Sequence, residues 1–335
     1  MRVMSKNIDD SNLSKVISSL RYPLVLAVIF VHASGISVEH LQEINTSAWT
    51  LFDSVRYVFS KIVCQTAVPT FFFISGYLFF YHISELSKSV YKEKIYRRIK
   101  TLVVPFVVWS LLALIVILAL KMAGLALRHQ SLDLGAVIKD NFANLDFWLA
   151  GPFNYHLWYL RELIIVTFLA PLWYLAIKYL KAFSLLLLLV FYLCDFRENT
   201  SLFGSLAMIT FCSGAWFAIN GINFASWFYK RRVIICSVCL LCFISCLLLF
   251  RSQTNMYMCA YKLFILTGIP AIIIGGLFIS PTEKYLKFSQ SSFFVYLSHV
   301  FILPITGALL VFLGDNYYVL GGGISCSAVC CWLYL

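Results

Sequence analysis

Charge is scarce in this chain. Asp, Glu, Lys and Arg make up 12% of its 335 residues, against roughly 25% in soluble domains. Acidic groups are rarer than basic ones, 15 against 26. With 61% hydrophobic residues and a mean hydropathy of +0.86, a water-soluble fold has no way to hide its apolar surface. Catalytic signatures are missing too. There is no G-x-S-x-G elbow, no P-loop, no dinucleotide-binding glycine motif and no His-rich zinc pattern, so no metal ligands are expected. The H-x4-D pattern of glycerolipid acyltransferases, with four residues between His and Asp, is likewise absent.

Long apolar runs take the place of these features. A spanning helix needs ~20 mainly apolar residues, because in lipid every backbone group must find its hydrogen bond internally. Segments of this kind lie near 21–38, 57–83, 101–123, 156–178, 182–195, 202–220, 232–250, 258–280, 291–313 and 317–335. The sequence thus predicts an all-α polytopic membrane protein of about ten transmembrane helices. Residues 1–20 form a polar cytoplasmic tail with an amphipathic stretch near Leu13–Leu20, and residues 21–335 form one membrane-embedded domain. A cleaved signal peptide ending near Ala33-Ser34-Gly35 is the rival for the first segment, and the polar residues before Arg21 argue against it.

The formal net charge of +11 resembles that of a nucleic-acid binder, yet the basic residues sit in short loops. Topology explains them better, since cytoplasmic loops collect Lys and Arg. With the N-terminus inside, the inner loops hold Lys88 through Lys100, Lys178 with Lys181, Lys230 through Arg232, and Lys284 with Lys287. Glu39, Glu43, Asp53, Asp133, Asp140, Asp146, Asp195, Glu198 and Asp315 fall outside, with scattered basic residues such as Arg56, Lys121, Arg128, Lys139, Arg197 and Arg251. No nucleic acid is expected as a partner; membrane lipids are.

The eleven cysteines lie mostly in apolar runs, where a thiol packs as a small hydrophobe. Cys236, Cys239, Cys242 and Cys246 reproduce an iron–sulfur spacing. That motif is a loop ending in Pro, whereas here Leu247 follows and the run is continuously apolar, so the four share one helix face as packing residues.

Ionisable groups inside membrane segments are expensive and mark functional sites by default. Here they are chiefly Arg21, His32, Arg161, Glu162, Lys262 and His299, with His156 at a boundary. Arg21 and His32 are eleven residues apart, about three turns plus 20°, which puts them on one face with His32 ~16 Å deeper. His299 reaches a depth of ~12 Å on its own helix, near that of His32. Arg21 serves as a topology anchor or a ligand-binding cation. The basic turn of Arg97, Arg98 and Lys100 either follows the charge rule or grips phosphates and head groups. Trp158, Arg161 and Glu162, read as the outer third of the fourth helix, are interfacial belt and ion pair, or acceptor-binding groups.

Five of these segments, in order, resemble the membrane-bound acyltransferase-3 family. They are Arg21-x10-His32; Val68-Pro-Thr-Phe-Phe-Phe-Ile-Ser75-Gly76-Tyr; Arg97-Arg98-Ile-Lys100 before Pro105; His156-Leu-Trp158-Tyr-Leu; and Tyr296-Leu-Ser-His299. Lys100 stands where many members carry a second Arg of an R-x-x-R pattern.

The resemblance implies transfer of an acetyl or other short acyl group from cytoplasmic acetyl-CoA to a hydroxyl of a bacterial surface or lipid-linked polysaccharide, at the inner membrane. Acetyl-CoA is a cosubstrate, and no cofactor is permanently bound. On this reading Arg21, Arg97, Arg98 and Lys100 hold the CoA phosphates and His32 is the general base. Trp158, Arg161, Glu162 and His299 bind the acceptor. An acyl-enzyme stays open, and a transporter or flippase for a lipid-linked sugar is the rival class.

Overall fold

The computed structural model describes residues 10–33, 48–127, 135, 157–195, 204–252 and 254–312, and every named element among them is helical. In chain order these are α1 (Asp10–Ala33), α2 (Ala48–Tyr57), α3 (Ala67–Phe80), α4 (Lys88–Arg98), α5 (Val104–Leu127), α6 (Trp158–Phe168) and α7 (Ala170–Leu180). There follow α8 (Ala182–Cys194), α9 (Ser205–Ile219), α10 (Phe224–Lys230), α11 (Arg232–Leu249), α12 (Asn255–Gly276), α13 (Glu283–Gln290) and α14 (Ser292–Phe312). A π turn at Val58–Val63 and a 3-10 turn at Cys64–Thr66 carry α2 into α3, and a second π turn, Ile99–Val103, joins α4 to α5.

Polar caps mark where loops become helices. Ser87, Asn223, Thr254 and Thr282 each accept a hydrogen bond from the backbone N–H three residues on, satisfying donors that a helix start leaves over.

Among the described residues, five helices are long and apolar enough to cross a membrane, or seven when two bent pairs count as spans. Seven of the ten segments read from the sequence fall on these spans, 182–195 and 291–313 fall on shorter apolar helices, and the tenth, 317–335, lies outside the described residues. The fourth segment is not straight: α6 and α7 meet at Leu169 with a bend of 59°. The amphipathic stretch near Leu13–Leu20 belongs to α1, which is continuous from Asp10. Leu13, Val16, Ile17, Leu20, Leu24 and Val28 form its buried stripe at three- and four-residue spacing, so apolar contact extends the helix below Arg21.

The chain forms two units. One comprises residues 1–74 and 221–335. In it α1 packs on α12, α13 and α14, and α11 packs on α12. Cys246 is fully buried with Tyr57, Ile62, Tyr257 and Phe264, while Cys236 is exposed, so the cysteine stripe has one packing end and one outward end. Cys246 is the one buried residue of α11, which gives that helix a nearly continuous apolar outer surface.

The second unit comprises residues 75–220. Gly76 of α3 lies against the backbone of α9: a methyl added there would sit 2.0 Å from the Phe211 carbonyl oxygen. Only a residue without Cβ permits that approach. Around it Phe79, Phe80, Phe211 and Tyr174 pack with ring centroids 6.3 to 6.5 Å apart.

Candidate active site

In the first unit, three contacts tie α13, and so the start of α14, to α1. Tyr285 Oη donates to the Ser19 carbonyl at 2.6 Å, Ser289 Oγ donates to the Ser18 carbonyl, and the Tyr22 and Phe288 rings meet edge to face at 4.9 Å. From this clamp both helices rise in the same direction. His32 is thirteen residues beyond Ser19 and His299 ten beyond Ser289, or ~20 and ~15 Å. Their rings meet, with centroids 5.5 Å apart and planes inclined by 31°. The common depth read from the sequence is therefore an actual juxtaposition.

The two imidazoles differ in setting. His32 is half-buried in the last turn of α1, whereas His299 is only 3% exposed. His299 Nδ1 bonds to the Tyr296 carbonyl one turn below. A carbonyl only accepts, so Nδ1 carries a proton and donates it to this bond. Tyr296 also lies beside the ring, 5.7 Å between centroids. Arg21 is exposed, eleven residues below His32 on α1.

In the second unit, the basic turn stands where α4 enters the π turn. Arg97 pairs with Glu93 on the exposed face, Lys100 lies 4.5 Å from the Tyr96 ring centroid, and Arg98 and Lys94 both approach the Phe79 ring at 6.0 Å. Such cation–π contacts hold a guanidinium without neutralising it, leaving its donors for an anion.

Helix α6 lies beside this basic helix. Tyr91 Oη donates to the Phe168 carbonyl at 2.8 Å, and Arg98 interacts electrostatically with Tyr159. The two helices run antiparallel along each other. Arg161 and Glu162 are buried as an ion pair at 3.1 Å, and the second Glu162 oxygen accepts the Gly204 N–H at 2.9 Å. Gly204 is the N-cap of α9, so the carboxylate anchors a helix start, where negative charge is favoured. Trp158 is half-buried at the first position of α6, and His156 lies outside the described residues.

Some functional contacts had no sequence signal. The Tyr296 carbonyl and the Gly204 N–H are backbone groups, and only folding makes partners of them.

The helices and the histidine pair define an integral membrane protein of the helical kind, with titratable groups gathered inside it. Residues 16–335 match the acyltransferase domain, and the chain belongs to the acyltransferase-3 family. It is similar to the succinoglycan biosynthesis protein ExoH of Rhizobium meliloti (strain 1021), with 25% identity over 219 residues. That match covers 64% of this chain and spans 56% of the relative's length. No solved structure matches.

Proposed function

We propose that this protein transfers an acetyl group, or another short acyl group, from cytoplasmic acyl-CoA to a hydroxyl of a bacterial surface or lipid-linked polysaccharide at the inner membrane. The observation that carries the reading is the His32–His299 pair, 5.5 Å between ring centroids, inside a chain matched along 16–335 by an acyltransferase domain. The name of the succinoglycan relative supports a polysaccharide acceptor.

On this reading Arg97, Arg98 and Lys100 take the phosphates of acetyl-CoA, with Arg21 as a further cation. His32 removes the proton from the acceptor hydroxyl as it attacks the thioester carbonyl. General-base help of this kind is worth ~100- to 10,000-fold. His299, oriented through Nδ1, receives the acceptor beside His32. Trp158 takes part on the acceptor side, while Arg161 and Glu162 brace the helix that carries it.

The test is transfer of labelled acetyl from acetyl-CoA into the glycan fraction of membranes carrying the native chain or His32→Ala. Label that depends on the chain and is lost with the imidazole is the expected result. Equal labelling by the two would remove His32 from the chemistry. No label in either, with protein and acceptor present, would remove acetyl transfer and bring forward longer acyl groups, then transport of a sugar-lipid.

A further inference from the structure

One buried cation has no part in the reading so far. Lys262 lies inside α12 and is 6% exposed. A lysine held in the middle of an apolar helix is costly unless its charge is used or compensated, which directs attention to its surroundings.

Helix geometry gives its position. Lys262, Ile265, Ile269, Ile273 and Gly276 are spaced by three, four, four and three residues and are all buried, so they form one stripe of α12. The inner end of that stripe is fixed against α1: a Cβ built on Gly276 would lie 2.8 Å from Leu20 Cγ. The stripe containing Lys262 thus meets α1 at its Gly276 end, with Pro270 between the two positions. From the Leu20–Gly276 contact, α1 climbs twelve residues to His32 and antiparallel α12 spans fourteen residues back to Lys262. These are rises of ~18 and ~21 Å, within one turn of each other. Packed helices are 8–10 Å apart on average, and a lysine stem is long enough to bring its ammonium from one helix to the groove beside the other.

We infer that Lys262 supplies the positive charge that stabilises the thioester oxygen during acyl transfer. This rests on the acyltransferase reading above. The acceptor oxygen forms a bond to the thioester carbonyl carbon as its proton passes to His32, and the carbonyl π pair moves onto oxygen. That oxyanion lies opposite the Lys262 ammonium. On collapse the oxygen pair re-forms the carbonyl, the C–S bond breaks, and the proton on His32 passes to the departing CoA sulfur. Ester and CoA thiol result, with no other reactant. A fixed cation in a dry site favours the developing charge without reorganisation, and removing one such donor costs ~100- to 1,000-fold in kcat.

The experiment compares native, His32→Ala, Lys262→Met and Lys262→Arg proteins in membranes, measuring abundance, kcat and the KM for acetyl-CoA. Lys262→Met at normal abundance is expected to lose about 100-fold in kcat with the acetyl-CoA KM unchanged, and Lys262→Arg to recover at least a tenth of the native rate. Should Lys262→Met fail to accumulate, Lys262→Gln, which keeps polarity and drops the charge, takes its place with the same expectation. A methionine or glutamine variant within threefold of native kcat, or a loss expressed in KM alone, overturns the inference. Native membranes that transfer no acyl group would instead overturn the reading beneath it.

Discussion

The carboxylate of Glu162 holds two helices at once: one oxygen pairs with Arg161 at 3.1 Å and the other accepts the Gly204 N–H at 2.9 Å. Both oxygens are thus engaged within the protein. Glu162→Gln is expected to lower thermal stability or abundance, since breaking one side of a buried ion pair typically costs ~3 to 5 kcal/mol. The acceptor KM of the surviving protein should stay within threefold. A raised acceptor KM at unchanged stability would instead make Glu162 a direct acceptor ligand.

Gly76→Ala places a methyl 2.0 Å from the Phe211 carbonyl oxygen, where backbone meets backbone and no side chain can move aside. Helices α3 and α9 must separate to admit it. The variant is expected to fall sharply in membrane abundance, read by immunoblot against Gly221→Ala. A methyl at Gly221 meets no neighbour within 4 Å and only the strain of φ +65°. Equal abundance of the two would show that the α3–α9 contact has room to relax.

His299→Ala removes the ring beside His32 and its bond to the Tyr296 carbonyl. Turnover should fall by at least about tenfold, yet by less than the ~100- to 10,000-fold expected for loss of the base itself. The acetyl-CoA KM should hardly move. A loss in His299→Ala larger than that of His32→Ala would exchange the two roles.

Arg98→Ala tests the phosphate assignment. Loss of a hydrogen bond to a charged group costs ~1.5 to 3 kcal/mol, so the KM for acetyl-CoA should rise about 10- to 100-fold. Acetyl-pantetheine, which lacks the phosphates, should be used equally well by native and variant proteins. A variant impaired equally with both donors would place Arg98 outside phosphate recognition.

Tyr285 offers a pH-dependent contact outside the spans. Burial, and then neighbouring Tyr22, raise its phenol above the ordinary value of 10.0, favouring the neutral form that donates to Ser19. The stability it contributes is complete below the unfolded pKa and is lost as pH rises through the higher folded value. Tyr285→Phe should remove about 1 kcal/mol and flatten the alkaline end of a thermal-stability profile. A variant whose alkaline melting curve matches the native one would rule out the phenol as its source.

The depth relation between His32 and His299 was legible because a helix has a fixed rise, so counting residues from each helix start places both rings at one level. Arg21 followed from the same arithmetic. The start of α1 was less legible, because polar residues among the first twenty conceal Leu13, Val16 and Ile17, whose burial appears only once α1 has neighbours. The bend between α6 and α7 was not legible for a local reason. Leu169 carries no helix-breaking signature, and Pro171, tolerated in the first turn of α7, was the one sign of a new helix start. Lys262 was visible as a buried charge, but its relation to α1 depends on Gly276 meeting Leu20, a contact between distant parts of the chain.

The π turn at Ile99–Val103 bears on how the basic turn can change over evolutionary time. A π turn amounts to one residue inserted in an α-helix, and each residue turns the chain by ~100° about the axis. Arg97 and Arg98 are thereby aimed independently of the apolar surface that α5 presents. Deleting a single residue from this turn would leave every side chain of α5 in place and swing the guanidinium groups to another quarter of the helix. One codon thus separates the lipid-facing register of this span from the direction in which its cationic end is offered.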